Sequence, residues 1–318
     1  MEPGQGGRAG LKDLDLPAEL AALPPLAGAR VLRLIRDLPQ RRVWEIRLQG
    51  ERAFLKQFRT ADPAATALGA VRRLDEAAAA FGNSPDCVAP ALTVLPEAGA
   101  VVLRAAPGVP LVQALDSAPA AERARLVARA GAWLAHLAGP AREEGRFGPR
   151  FWLRGIEERL AATTGDWADR ALVSAVLRRM AQDGRALAGT RVERARLHGD
   201  LTGDNLFYDA VTDRMTGIDL QDWGAVALVR DAARLLVWLE SRRAIPLPRI
   251  DGIAAPDYQA LTAVPGLIAP DQRALLRFMI GEIMLAYYLD SARQPVRRSA
   301  LAGAMRDWAQ ATSASAAS

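Results

Sequence analysis

The sequence predicts an α+β protein of two lobes, a small antiparallel sheet carrying one helix and then a larger, mostly helical part. Three observations predict it. Residues 30–36, 43–49 and 52–58 alternate apolar and polar side chains and are separated by short connections. Beyond Ala106-Pro107-Gly108 most segments have helical periodicity. One strand-rich island, from about Val192 to Leu220, interrupts those helices.

Taken in order, residues 1–28 open with a Gly-rich stretch and read as a flexible N-terminal segment. The three alternating segments form a meander, with Gly50-Glu51 as one of its turns. Asp62-Pro63 is a helix start, and Ala64–Phe81 is Ala-rich and helical. Short strands follow at 91–95 and 100–103. The first lobe is therefore placed at 29–105 and the helical lobe at 106–311, with a hinge near 104–109 and a tail at 312–318. Helices are expected at about 110–117, 119–138, 151–163, 168–188, 229–243, 256–262, 270–292 and 297–310. Clefts between lobes are favoured ligand sites.

Composition excludes several classes. A single cysteine, Cys87, forms neither an internal disulfide nor a Cys-based zinc site, and two histidines leave little for a His-rich metal centre. The formal net charge of +5 comes without a long basic run, so no nucleic-acid partner is expected. No apolar stretch is long enough for a membrane span and no signal peptide is visible, so the expectation is a cytoplasmic protein. Of 41 basic residues only Lys12 and Lys56 are lysine.

The island carries His198-Gly199-Asp200, then Asn205, a hairpin over Leu206–Tyr208 and Met215–Ile218, and then Asp219. A hairpin brings its outer ends together, so Asn205 and Asp219 can share one ion, and Asp200 lies five residues upstream of Asn205. That set suits phosphoryl transfer, which needs a carboxylate to take the hydroxyl proton and oxygen ligands for Mg²⁺. Asp and Asn in loops also serve as turn formers and caps, which is the competing reading.

The island resembles the catalytic core of the aminoglycoside phosphotransferase and choline kinase family, whose pattern is HGD-x4-N, a hairpin and an I-D segment. The resemblance runs from about residue 30 to 310 and implies a two-lobed protein-kinase-like fold that uses ATP and Mg²⁺. It implies Asp200 as catalytic base, His198 as the histidine bracing the catalytic loop, and Asn205 and Asp219 as magnesium ligands. It places the phosphate-gripping lysine at Lys56, on the third strand, with a carboxylate partner on the next helix. Asp75 and Glu76 are the acids there; Glu76 is chosen for its longer reach. The segment Leu103–Ala106 would present backbone groups to the adenine, with Leu103 and Ala105 as the positions expected to do so.

Some features depart from broader kinase patterns. The loop 37–42 has no glycine, so either Arg41 or Arg42 substitutes for a Gly-rich phosphate cradle or the loop is a solvated turn. Eleven residues between Asp219 and Asp231 are too few for an activation segment that presents a peptide. Asp231 fits an N-cap or loop-bracing role, Asp222 reads as a turn acid, and Asp204 could contact the acceptor. His136 reads as a packed helix histidine, and Trp152, Trp223 and Trp238 as candidates for the acceptor side. The expected function is γ-phosphate transfer to a hydroxyl of a small-molecule acceptor (a sugar, amino alcohol, aminoglycoside-like molecule or cell-envelope precursor). The alternative is an inactive nucleotide-binding member of the same fold. The oligomeric state stays open.

Overall fold

The computed structural model describes residues 15–139, 142–221 and 224–311. Lys12, Asp222, Trp223 and the tail 312–318 lie outside the described residues. The chain divides into two compact units. One comprises the described residues up to Glu76 together with Ala89–Ala106; the other comprises Ala77–Val88 and the described residues from Pro107 onward.

The first unit begins with the short helix α1 (Ala18–Ala21). Strands β1 (Arg30–Leu38), β2 (Arg41–Leu48) and β3 (Glu51–Phe58) form the meander, and α2 (Pro63–Phe81) follows it. After the two-residue strand β4 (Cys87–Val88), which belongs to the second unit, β5 (Ala91–Leu95) and β6 (Ala100–Arg104) complete the first. The sheet order β1-β2-β3-β6-β5 is antiparallel throughout. Alternation along β2 and β3 buries Trp44, Ile46, Ala53 and Leu55 on one face, which is the physical basis of the period-2 pattern. Leu20 and Leu26 join that core at 0% and 2% exposure. The part of the expected flexible segment that contains them is thus folded against the sheet. A four-residue helix has too few turns to show a period, but the Leu20, Leu23, Leu26 spacing was the available signal.

The second unit holds β7 (Val109–Pro110), α3 (Leu111–Ser117), α4 (Ala120–Ala138), β8 (Glu143–Arg146), α5 (Pro149–Ala162), α6 (Arg170–Leu187) and β9 (Arg191–Arg196). It continues with β10 (Leu206–Asp209), β11 (Arg214–Gly217), β12 (Ala225–Ala227) and α7 (Leu228–Ser241). The last elements are β13 (Arg249–Ile250), β14 (Ile253–Ala254), α8 (Ala255–Thr262), α9 (Arg273–Leu289) and α10 (Pro295–Gln310). Helices α7 and α9 are buried almost all round, so they form the centre of this unit. Among the described residues three small sheets sit in it, β4-β11-β10-β7, β12-β9-β8 and the two-stranded β13-β14. Strand β8 (EEGR) was not anticipated, because its polar residues pair at an edge and show no apolar alternation. No helix among the described residues is long and apolar enough to cross a membrane.

Candidate active site

The hairpin β10–β11 is in the register Leu206↔Gly217, Phe207↔Thr216, Tyr208↔Met215 and Asp209↔Arg214. Beyond its open end the Ile218 N–H donates to the Asn205 carbonyl at 2.9 Å. Asn205 and Asp219 are therefore neighbours across the hairpin mouth. The far end is closed by Asp209, which accepts from the Val211 N–H and the Thr212 hydroxyl.

The hairpin is anchored from beneath by residues that the sequence reading did not single out. Strand β11 pairs in parallel with β4, Gly217 opposite Val88. Asp86, 1% exposed, accepts from both terminal nitrogens of Arg129 and from the Met215 N–H. A buried carboxylate is retained when paired and fully hydrogen-bonded in this way. The Trp133 ring lies under Gly217 so closely that a Cβ there would be 2.2 Å from it. Trp133 also donates from its indole N–H to the Cys87 carbonyl. His136 is half exposed, 3.7 Å from Asp86, which corrects the expectation of a packed histidine.

The catalytic-loop candidate runs from His198 to Asn205. His198 is fully buried. Its Nδ1 accepts the Asp200 N–H at 3.2 Å, so Nε2 carries the proton and donates to the Ile218 carbonyl at 2.8 Å. Burial is the main effect on the imidazole and lowers its pKa; Asp231 opposes this only in part. A neutral ring with both nitrogens engaged braces the loop, and it is not placed to carry protons. Gly199 has φ of 82° and donates its N–H to Asp231 Oδ2 at 2.9 Å. Asp231, 0% exposed, lies inside the first turn of α7, whose N-cap is Ala227. It is a loop brace, and the N-cap reading is corrected. Gly203 meets the Trp238 ring of α7, where a Cβ would come within 2.6 Å.

Asp200 is held at both carboxylate oxygens. Arg234 of α7 donates from Nη1 to Oδ1 at 3.0 Å. Asn205 Nδ2 donates to the Asp200 carbonyl at 2.8 Å and lies 3.4 Å from Oδ2. The carboxylate nevertheless keeps 45% exposure, so a substrate can reach it. Burial works against the Arg234 charge, but Tyr287, Asp200, Asp231 and Glu282 outweigh it and hold its pKa above the ordinary arginine range. Beside it Arg230 stacks at 5.0 Å over Trp152, and burial lowers its pKa. Burial likewise raises the pKa of Glu282 on α9, against the pull of Arg230 and Arg234.

Asp219 has φ of 58°, a left-handed backbone that Asp tolerates better than most residues. Gln221 secures it by donating from Nε2 to the Asp219 carbonyl and from its N–H to the His198 carbonyl. Since Asn205 spends Nδ2 on Asp200, its Oδ1 is the atom left to act as a ligand. Among the described residues no group of three or more His, Cys, Asp or Glu could hold a metal ion. One amide and one carboxylate oxygen fit Mg²⁺, which keeps several waters and phosphate oxygens and needs no all-protein cage.

In the first unit Lys56 faces Val43 and Val101 across β3, with its Nζ 5.3 Å over the Phe58 ring. Glu76 on α2 is partly exposed and lies 4.0 Å from Arg72 one turn earlier. Leu103 pairs with Phe54 and Ala91. The Ala105 N–H is taken by the Arg52 carbonyl at 3.2 Å, so that donor is not available to an adenine. In the β1–β2 connection Arg42 pairs with Asp37 at 2.7 Å, and Arg59 does so from β3's end. Arg42 thereby stitches the hairpin closed.

The model of the phosphotransferase enzyme family matches residues 31–264. No curated protein sequence matches the chain. Among solved structures, a thermostable mutant of aminoglycoside phosphotransferase APH(4)-Ia superposes with a TM-score of 0.58 at 16% identity, over 88% of this chain and 94% of that one. A choline/ethanolamine kinase family protein from Mesorhizobium loti gives 0.54 at 21% identity, over 92% and 91%. A glucosamine kinase gives 0.51 at 14% identity, over 92% and 94%. These likenesses show a kinase-like fold. The family match takes in both β3 and the loop from His198 to Asp219, and the chain belongs to the phosphotransferase enzyme family.

Proposed function

We propose that this protein transfers the γ-phosphate of ATP to a hydroxyl of a small molecule, in the cytoplasm. The observation that carries the reading is the convergence of Asp200, Asn205 and Asp219 at one end of the β10–β11 hairpin. Arg234 and Asn205 fix the Asp200 carboxylate while leaving it accessible. The acceptor hydroxyl gives its proton to Asp200. Its oxygen forms the new bond to the γ-phosphorus, and the bond from that phosphorus to the β,γ-bridging oxygen breaks, leaving ADP. When bound, Mg²⁺ supplies charge neutralisation on the phosphates; Asn205 Oδ1 and the Asp219 carboxylate are the protein oxygens that would hold it. Lys56 is assigned to the phosphates and Glu76 to its positioning.

Structures of APH(4)-Ia with ADP and hygromycin B, and with AMP-PNP and hygromycin B, support nucleotide use by this fold. The presence of every candidate residue, with Asp200 oriented and reachable, favours an active enzyme over an inactive nucleotide binder. The test is ADP release with Mg·ATP and a panel of hydroxylated acceptors. Asp200→Ala is expected to lose turnover by on the order of 10²–10⁴, the usual contribution of a general base. Full turnover in that variant would remove Asp200 from the role.

A further inference from the structure

A cavity of about 530 Å³ opens beside the catalytic loop, entirely within the second unit. Asp204 of the loop forms one wall, Trp238 of α7 and Arg242 just past its C-terminus a second, and Gln294 and Arg297 at the start of α10 a third. Its size suits a sugar-sized ligand. It also connects to Asp200 through one side chain. Arg234, which holds Asp200, lies 5.9 Å from the Tyr287 ring centre, and Arg297 lies 4.4 Å from the same ring.

The charge of this wall is of the wrong sign for a cation. Arg297 donates to the neutral Gln294 Oε1 at 3.1 Å, and among the described residues it forms no ion pair. The nearest carboxylate to Arg242 is Asp116 at 3.9 Å, and both side chains are largely exposed. Among the described residues Asp204 is the single acid of the wall, and Asp200 is already matched by Arg234. Two guanidinium groups with spare donors recognise carboxylate or phosphate, and they repel an ammonium.

We propose that the acceptor is a hydroxylated anion. It would present one hydroxyl to Asp200, another to Asp204, and a carboxylate or phosphate group to Arg242 and Arg297. This rests on the phosphotransferase reading above and names the acceptor class for the same site.

The test is calorimetric titration of the full chain with its nucleotide site filled by Mg·ADP. Two series of probes are used: glucose, glucosamine, glucuronate and glucose 6-phosphate, and glycerol, 2-amino-1,3-propanediol, glycerate and glycerol 3-phosphate. The uronate and glycerate arms separate a carboxylate requirement from a phosphate one. In at least one series an anion should bind about tenfold or more tighter than its neutral and cationic counterparts. Arg297→Gln and Arg242→Gln should each erase most of that preference. If in neither series an anion binds most tightly, or if the preference survives both substitutions, the proposal is overturned. A separate melting measurement with Mg·ATP keeps the two claims distinct. A nucleotide-dependent shift with cation-preferring titrations overturns the acceptor class alone. Anion binding without any nucleotide shift overturns the phosphotransferase reading alone.

Discussion

Arg234 and Asp200 share a hydrogen bond of 3.0 Å between a mostly buried arginine and a partly exposed carboxylate. The pairing fixes Asp200 at Oδ1, while Asn205 Nδ2 lies 3.4 Å from Oδ2, and the side chain stays 45% exposed to the substrate. Arg234→Gln should therefore lower kcat by about tenfold to a hundredfold, the scale of a small misplacement at a reacting group. Arg234→Lys should recover part of the loss, and KM for ATP should stay near wild type in both. Equal loss in kcat and nucleotide KM would mean that Arg234 only stabilises the fold.

Asp231 ties α7 to the loop through the Gly199 N–H. Asp231→Ala leaves that buried donor unsatisfied and removes an acid beside Arg230 and Arg234. The expected cost is about 3 kcal/mol of folding free energy, read from urea unfolding. Asp231→Asn keeps an acceptor and should cost clearly less.

Gly217 has no room for a side chain above Trp133. Gly217→Ala should destabilise the protein by about 1–3 kcal/mol through overpacking. Because Asn205 and Asp219 hang on the same hairpin, it should also weaken Mg·ATP binding measured by calorimetry.

His198 links stability to pH. Its folded pKa lies below the ordinary 6.5 because it is buried. In the unfolded chain it takes up a proton as the pH drops through that value, while the folded protein resists. Its contribution is complete above 6.5 and is lost as the pH falls below 6.5 towards the folded value. Urea unfolding at about pH 7.5, 6.5 and 5.5 should show the larger loss in the lower interval, with a slope up to about 1.4 kcal/mol per pH unit. His198→Asn should flatten that dependence.

The candidate constellation was legible because it is local. His198, Asp200, Asn205 and Asp219 lie on one hairpin and its approach, so spacing alone brings them together. The helices after 106 were legible because long amphipathic segments show their period. What holds the site was not legible. Arg234, Asp86 and Trp133 reach it from α7, the approach to β4, and α4, and a lone Arg, Asp or Trp in those contexts reads as an ordinary surface or core residue. The arginine-lined cavity was hidden for the same reason, since Arg242 and Arg297 are 55 residues apart in sequence. At Ala105 the β-pairing with β3 extends one residue past β6 and engages its N–H, which spacing in the sequence does not show.

The central claim is that Asn205 and Asp219 hold the metal-bound nucleotide while Asp200 acts on the acceptor. It is tested most directly by the melting temperature with and without millimolar Mg·ATP in wild type, Asp219→Ala and Asp200→Asn. The account predicts a rise in wild type and in Asp200→Asn, and none in Asp219→Ala. A rise that persists in Asp219→Ala, or no rise in wild type, would contradict it.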